Sequence, residues 1–120
     1  MTVIDIKMSA IYGAAHDVLP TQAEAFKAKA DSITGAIEPI VSEVSLAGNH
    51  PIAGDLADVA TELFLHLREL VRTFNDSAVA LDRIADDFVA VDEEAAAWFA
   101  QHQQYLGDPD VPSDPTAPVV

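Results

Sequence analysis

Apolar residues recur through the second half of the chain at alternating intervals of four and three residues. The series consists of Leu56, Ala60, Leu63, Leu67, Leu70, Phe74, Ser77, Leu81, Ile84, Phe88, Val91, Ala95, Trp98, His102 and Tyr105. An average spacing of 3.5 residues keeps one side of a helix turned toward a neighbouring helix. The pattern therefore predicts a single long helix over about residues 55–105, with this series as its buried seam.

The first half of the chain repeats the same alternation and supplies a partner for that helix. Its seam consists of Tyr12, His16, Leu19, Ala23, Phe26, Ala30, Ile33, Ile37, Ile40 and Val44. Between the two seams, Gly48 suits a helix C-terminus, Pro51 cannot continue a helix, and Asp55 can cap the next one. The predicted fold is all-α: an antiparallel two-helix hairpin with helices near residues 21–46 and 55–105.

Two prolines interrupt the first seam. Thr21 and Glu24 have the spacing of a capping box, so we expect a break or a sharp kink near Pro20. Residues 1–19 stay ambiguous at this point, because Asp5 could cap a further helix that shares the seam. Pro39 lacks the N–H for one helical hydrogen bond, but the seam continues beyond it, which favours a kink over a stop.

The composition changes at Gly107, and we divide the chain into a hairpin domain, residues 1–106, and an acidic proline-rich tail, residues 107–120. Prolines recur there at every third position, as Pro109, Pro112, Pro115 and Pro118. This is the period of a polyproline II helix. We expect the tail to be disordered; an extended docking segment is the alternative.

Charge and residue content exclude several classes of function. Six basic against twenty acidic residues give a net charge of -14, which opposes binding to nucleic acid. No segment approaches the ~20 apolar residues that span a bilayer, so we expect no stable membrane insertion. The four histidines lack the spacing of a helical metal site. We predict no enzyme activity, catalytic residue, metal or cofactor.

A second set of apolar residues flanks the seam of the second helix. Phe64 and Val71 widen its apolar face, and a face this broad usually contacts more than one neighbour. Trp98, Phe99 and Tyr105 would overhang the end of the first helix, as interface aromatics often do. We predict these five residues as a partner interface through which two hairpins form a four-helix bundle. A frayed helix end that folds back on residues 1–8 is the alternative for the aromatics.

Residues 84–98 (IADDFVAVDEEAAAW), together with the two long helices, the short Gly/Pro turn and the absence of cysteine, resemble a known family. The chain is similar to the small helical hairpins of the type VII (ESX) secretion systems of actinobacteria, the WXG-type and especially the EspC-like proteins. In that family a tyrosine on the second helix and an acidic residue four positions later form an export signal. Phe88 and Asp92 occupy these positions here. The turn lacks the Trp-x-Gly of standard members, and phenylalanine replaces the usual tyrosine of the signal.

The resemblance implies a non-enzymatic secretion substrate or secretion partner, cytoplasmic before export and then secreted or on the cell surface. Its implied partners are the type VII machinery and either another hairpin protein or a second copy of itself. The alternative function is an intracellular adaptor or immunity-type protein whose acidic face neutralises a basic partner.

Overall fold

The computed structural model describes residues 2–46, 48 and 52–117, and all regular structure within these ranges is helical. Helix α1 spans Val3–Gly13, a π-helical turn spans Ala14–Val18, and α2 spans Leu19–Leu46. Helix α3 spans Ile52–Val91, α4 spans Glu93–Ala100, and a 3-10 turn covers Gln103–Tyr105. The prediction of an all-α chain is confirmed.

The first three elements form one continuous helical arm, which differs from the break expected near Pro20. Proline at this position would clash with the carbonyl of the preceding turn in a regular α-helix. The structure widens that turn instead: the Leu19 N–H donates to the Ala14 carbonyl, five residues back, in the manner of a π-bulge. Pro20 is thereby accommodated inside the helix, and α2 also continues through Pro39.

The N-terminal cap of this arm lies farther upstream than the sequence suggested. Thr2 and Asp5 form a capping box, in which the Thr2 hydroxyl accepts from the Asp5 N–H and the Asp5 carboxylate accepts from the Thr2 N–H. Thr21 lies within α2, so the capping box expected there does not form. Asp55 likewise lies in the first turn of α3 and not at its cap, because that helix begins at Ile52.

The first arm and α3 run antiparallel over most of their length. Tyr12 contacts Asp86, and Phe26 stacks on Phe74 with ring centroids 5.4 Å apart, so one number falls as the other rises. The molecule measures 70 × 21 × 17 Å along its principal axes. Much of the line of contact consists of fully buried alanines, which let the backbones approach closely. These alanines are Ala15, Ala23, Ala30, Ala78 and Ala85.

The connection between the arms is only partly described. Gly48 has a φ of 130°, a conformation that side chains other than glycine rarely adopt, and glycine was expected at the end of the first helix. The expected role of Pro51 lies outside the described residues.

The second helix ends earlier than predicted. Asp92 has extended backbone angles, φ -118° and ψ 122°, and its side chain caps α4 by accepting from the Ala95 N–H. The predicted single helix over residues 55–105 is therefore wrong after Val91. The break redirects the aromatic end of the chain toward the first arm.

Candidate interaction surfaces

The buried and exposed sides of α3 are rotated relative to the predicted seam. Phe64 and Val71 are fully buried, whereas Leu63, Leu70 and Ile84 of the predicted seam are 50%, 39% and 58% exposed. The reason is that the row one position later on the helix forms the contact with the first arm. This row consists of Phe64, Val71, Ala78 and Ala85. The choice between two adjacent apolar rows was decided by packing against that arm, and Phe64 and Val71 are not a free partner interface.

The rotation leaves an apolar stripe open along the outside of α3. We call this surface the open stripe; it consists of Leu56, Val59, Leu63, Leu70, Ile84, Phe88 and Val91. Near the connected ends of the arms it borders a groove of about 230 Å³, which Ile37 and Ile40 complete from the first arm. An exposed apolar stripe of this length is typical of a helix that packs against a partner.

An acidic row runs beside the open stripe. Asp55, Glu62, Glu69 and Asp76 recur every seven residues and are all exposed. Residues seven apart lie nearly above one another on a helix, so these carboxylates form one edge of the surface. A partner would meet apolar side chains bordered by negative charge.

The aromatic residues of α4 and of the 3-10 turn after it pack inward. Trp98 is 5% exposed and belongs to a buried cluster with Met8, Tyr12 and Ala95. Its ring stacks on Tyr12, with centroids 5.7 Å apart, and Tyr105 stacks on the same tyrosine at 5.3 Å. The predicted overhang is therefore wrong. The alternative, in which the end of the second helix folds back on the N-terminal helix, describes the structure.

Phe99 and Tyr105 are only half-buried, but they too contact Tyr12. With Trp98 they close the free end of the two arms. Of the five residues predicted as a partner interface, three are buried and two support the core.

Two polar pairs cross between the arms next to this aromatic cluster. The Tyr12 hydroxyl donates to the Asp86 carboxylate at 2.7 Å, and His16 Nε2 lies 2.5 Å from Asp82 Oδ1. Asp82 is 2% exposed. Burial raises its pKa above the usual 3.8, the nearby Asp86 charge adds to the rise, and His16 opposes it. Burial and the bond to Asp86 raise the pKa of Tyr12.

These pairs have a structural role. A buried polar group costs free energy unless it is hydrogen-bonded, so each pair disfavours any other alignment of the two arms. His16 was expected on the seam of the first helix. Asp82 was missed, although its place one position after Leu81 puts it on the buried row.

The candidate export signal spans the break between α3 and α4. Phe88 is 39% exposed near the end of α3. Asp92 is half-buried and its Oδ1 accepts from the Ala95 N–H at 2.9 Å. The two residues therefore do not lie on one uninterrupted helix, and the carboxylate already has a structural partner.

The proline-rich tail lies along the groove between α2 and α3, on a side of α3 different from the open stripe. Pro109, Pro112 and Pro115 are buried. The prediction of a disordered tail is wrong for residues 107–117, whereas Pro118 lies outside the described residues. Docking was the alternative, and buried proline rings at every third position provide its apolar contact.

Within the described residues, no group of three or more His, Asp or Glu is arranged to hold a metal ion. None of the described helices has both the length and the apolar composition needed to cross a bilayer. Comparisons with protein-family models, curated proteins and solved structures found no match.

Proposed function

We propose that this chain is a non-enzymatic type VII (ESX) secretion substrate or secretion partner that acts as a helical hairpin through helix–helix interactions. The open stripe is the observation that carries the proposal. It is a heptad-spaced row on a long helix. Among the described residues, its side chains are 39–82% exposed, whereas Phe64 and Val71 on the adjacent row are fully buried. The similarity of residues 84–98 to the EspC-like proteins supplies the secretion context.

The open stripe is large enough for hairpin pairing into a four-helix bundle. Its seven side chains are 39–82% exposed, so a partner that covers them would gain about half of the ~1.5–3 kcal/mol that full burial of each is worth. That sum is of the same order as the ~4–15 kcal/mol that association costs. The pairing is therefore sensitive to the charges at its edge.

Charge favours a different hairpin protein over a second copy of this one. A second copy would add another net charge of -14 and a second acidic row. Like charges facing each other across an interface disfavour the complex, whereas a basic row on a partner would strengthen it. We therefore expect a heterodimer with a hairpin whose docking edge is basic.

Export can be tested directly in the native host. The protein should appear in the culture filtrate of the wild-type strain and be absent when the type VII secretion ATPase is deleted. Equal export by both strains would refute the secretion route.

The role of Asp92 requires a variant that separates its charge from its cap. Asp92→Asn keeps a side-chain oxygen for the Ala95 N–H but removes the carboxylate charge. We expect it to fold and to lose export. Asp87→Asn is the matched control, because Asp87 is exposed five residues before the cap and should be exported normally. Normal export of Asp92→Asn would exclude a charge-dependent signal at Phe88 and Asp92.

The distribution of charge supports one other function. From Asn75 onward the sequence contains ten acidic residues and a single base, Arg83. An intracellular adaptor or immunity-type protein would use such a surface to neutralise a basic partner. This function predicts a salt-sensitive complex with a basic protein inside the cell and no export at all, so the filtrate experiment separates the two.

A further inference from the structure

The tail groove combines apolar burial with polar contacts from both arms. Lys27 Nζ donates to Ser113 Oγ at 2.9 Å, and Thr34 Oγ1 donates to the Thr116 carbonyl at 3.2 Å. These two side chains belong to α2. The tail therefore lies along that helix in the direction of its C-terminus, since both numbers rise together.

Helix α3 supplies the opposite wall. Asn75 Nδ2 donates to the Pro112 carbonyl at 2.8 Å, and Arg72 binds Asp114 Oδ2 through Nε at 2.9 Å and Nη2 at 2.8 Å. Two donors of one guanidinium thus converge on one carboxylate oxygen. These contacts, with those from α2, hold an extended segment of five residues, 112–116, from both sides.

The charges of this groove differ from those of the rest of the chain. Only six residues of the chain are basic, yet Lys27 and Arg72 both contact the tail. A hydroxyl and a carboxylate of the tail meet them. The groove thus holds an extended segment that combines buried prolines at every third position with an acidic side chain.

One polar atom in the groove is left without a partner by the tail. Asn75 Oδ1 is buried and accepts no hydrogen bond from the described residues. The contact on the same side chain is to the carbonyl of Pro112, a residue that has no N–H to give in return. A buried acceptor without a donor costs free energy, so the tail is not the best possible occupant of its own groove.

We propose that this groove is a recognition site for an extended proline-rich segment of a partner protein, and that the tail occupies the site in cis and blocks it. The segment would carry Pro-x-x-Pro-x-x-Pro spacing, an acidic residue opposite Arg72, and an N–H donor for Asn75 Oδ1. This site is separate from the open stripe and does not depend on how the protein is exported.

The proposal can be tested with the tail sequence itself as probe. A fluorescent peptide of residues 107–117 is titrated into the full-length chain and into a full-length tail-release variant, Pro109→Ala, Pro112→Ala, Pro115→Ala and Asp114→Ala. A short tether holds the tail at a local concentration in the millimolar range, so the peptide should bind the tail-release variant roughly tenfold or more tightly than the wild type. A version of the peptide with its prolines out of the three-residue period should bind neither.

Matched substitutions in the groove show whether binding occurs at this site. Arg72→Gln in the tail-release variant should weaken binding several-fold, because the ion pair with Asp114 is lost. Arg83→Gln removes an equal charge at an exposed position that, within the described residues, forms no ion pair or hydrogen bond with the tail, and it should leave binding unchanged. Equal effects of the two substitutions, equal affinity for wild type and tail-release variant, or absence of binding would each overturn the proposal.

A second measurement uses the unaltered groove and does not need the tail-release variant to fold. The chain has no cysteine, so Ala117→Cys provides a unique attachment point for a nitroxide label. Residue 117 follows Thr116, which contacts Thr34, and the label should broaden NMR signals around Thr34. Excess peptide should release the tail and restore these signals. Signals that stay broadened at saturating peptide would show that the tail is not displaced, which would overturn the proposal. Broadening seen only when labelled chains are mixed with unlabelled chains would identify the occupant as the tail of a second copy, which would also overturn it.

Discussion

Replacing Trp98 with alanine tests whether α4 packs its aromatic side chains into the core or exposes them as an interface. The indole is 5% exposed and stacks on Tyr12, on Tyr105 at 6.0 Å and on His102 at 3.9 Å. Truncation of a buried aromatic removes its transfer free energy and leaves a cavity, which together cost roughly 3–5 kcal/mol. We expect Trp98→Ala to lower the free energy of unfolding by that amount, measured by urea denaturation with circular dichroism at a helical wavelength.

Phe88→Ala is the matched control for this measurement. Phe88 is also a seam aromatic in the sequence, but it is 39% exposed at the end of α3, so its loss should cost only about 1 kcal/mol. Trp98 is the only tryptophan, and its fluorescence in the wild-type chain reports whether the aromatic cluster unfolds together with the helices. A loss below 1 kcal/mol for Trp98→Ala, or equal losses for the two variants, would refute the assignment of the chain end to the core.

Three other predictions concern charge, capping and the open stripe. The pKa of Asp82 is raised in the folded chain, so this carboxyl contributes stability below its usual pKa of 3.8 and loses that contribution as the pH rises through the folded pKa. Relative to Asp82→Asn, the free energy of unfolding of the wild type should therefore fall between pH 3.8 and neutrality. Urea denaturation across that range would show no such trend if the carboxylate were solvated. Asp92→Ala removes the α4 cap and should cost about 1 kcal/mol in thermal denaturation, whereas a loss of the same size in Asp92→Asn would argue against capping. Leu63→Glu and Leu70→Glu on the open stripe should change monomer stability little but prevent pairing with a hairpin partner, as measured by co-purification; retained pairing would place the interface elsewhere.

The sequence pattern predicted the helical class and most of the helical segments, because an apolar period of 3.5 residues matches an α-helix and does not match a β-strand. Its prediction of which of two adjacent rows on α3 faces inward was wrong. Leu63 and Phe64 are both apolar, as are Leu70 and Val71, so hydrophobicity alone cannot rank them. The small side chains Ala78 and Ala85, which continue the second row, allow the close approach of the first arm and settle the choice.

The candidate sites were less predictable than the fold. Phe88 and Asp92 have the spacing of an export signal, but the cap formed by Asp92 depends on a local break that the apolar period does not reveal. Asp82 was missed because a charged residue between seam positions is usually solvated. Its pairing with His16 follows only once the alignment of the two arms is known.

The sequence by itself determined that this chain forms long helices with apolar faces, because periodicity is a local property that each helix carries in its own residues. Tertiary structure alone decided the rest: the rotation of α3, the break that places Trp98 against Tyr12, and the position of the proline-rich tail between α2 and α3. Each of these depends on contacts between residues distant in the chain, whose energies arise only when both surfaces are in place.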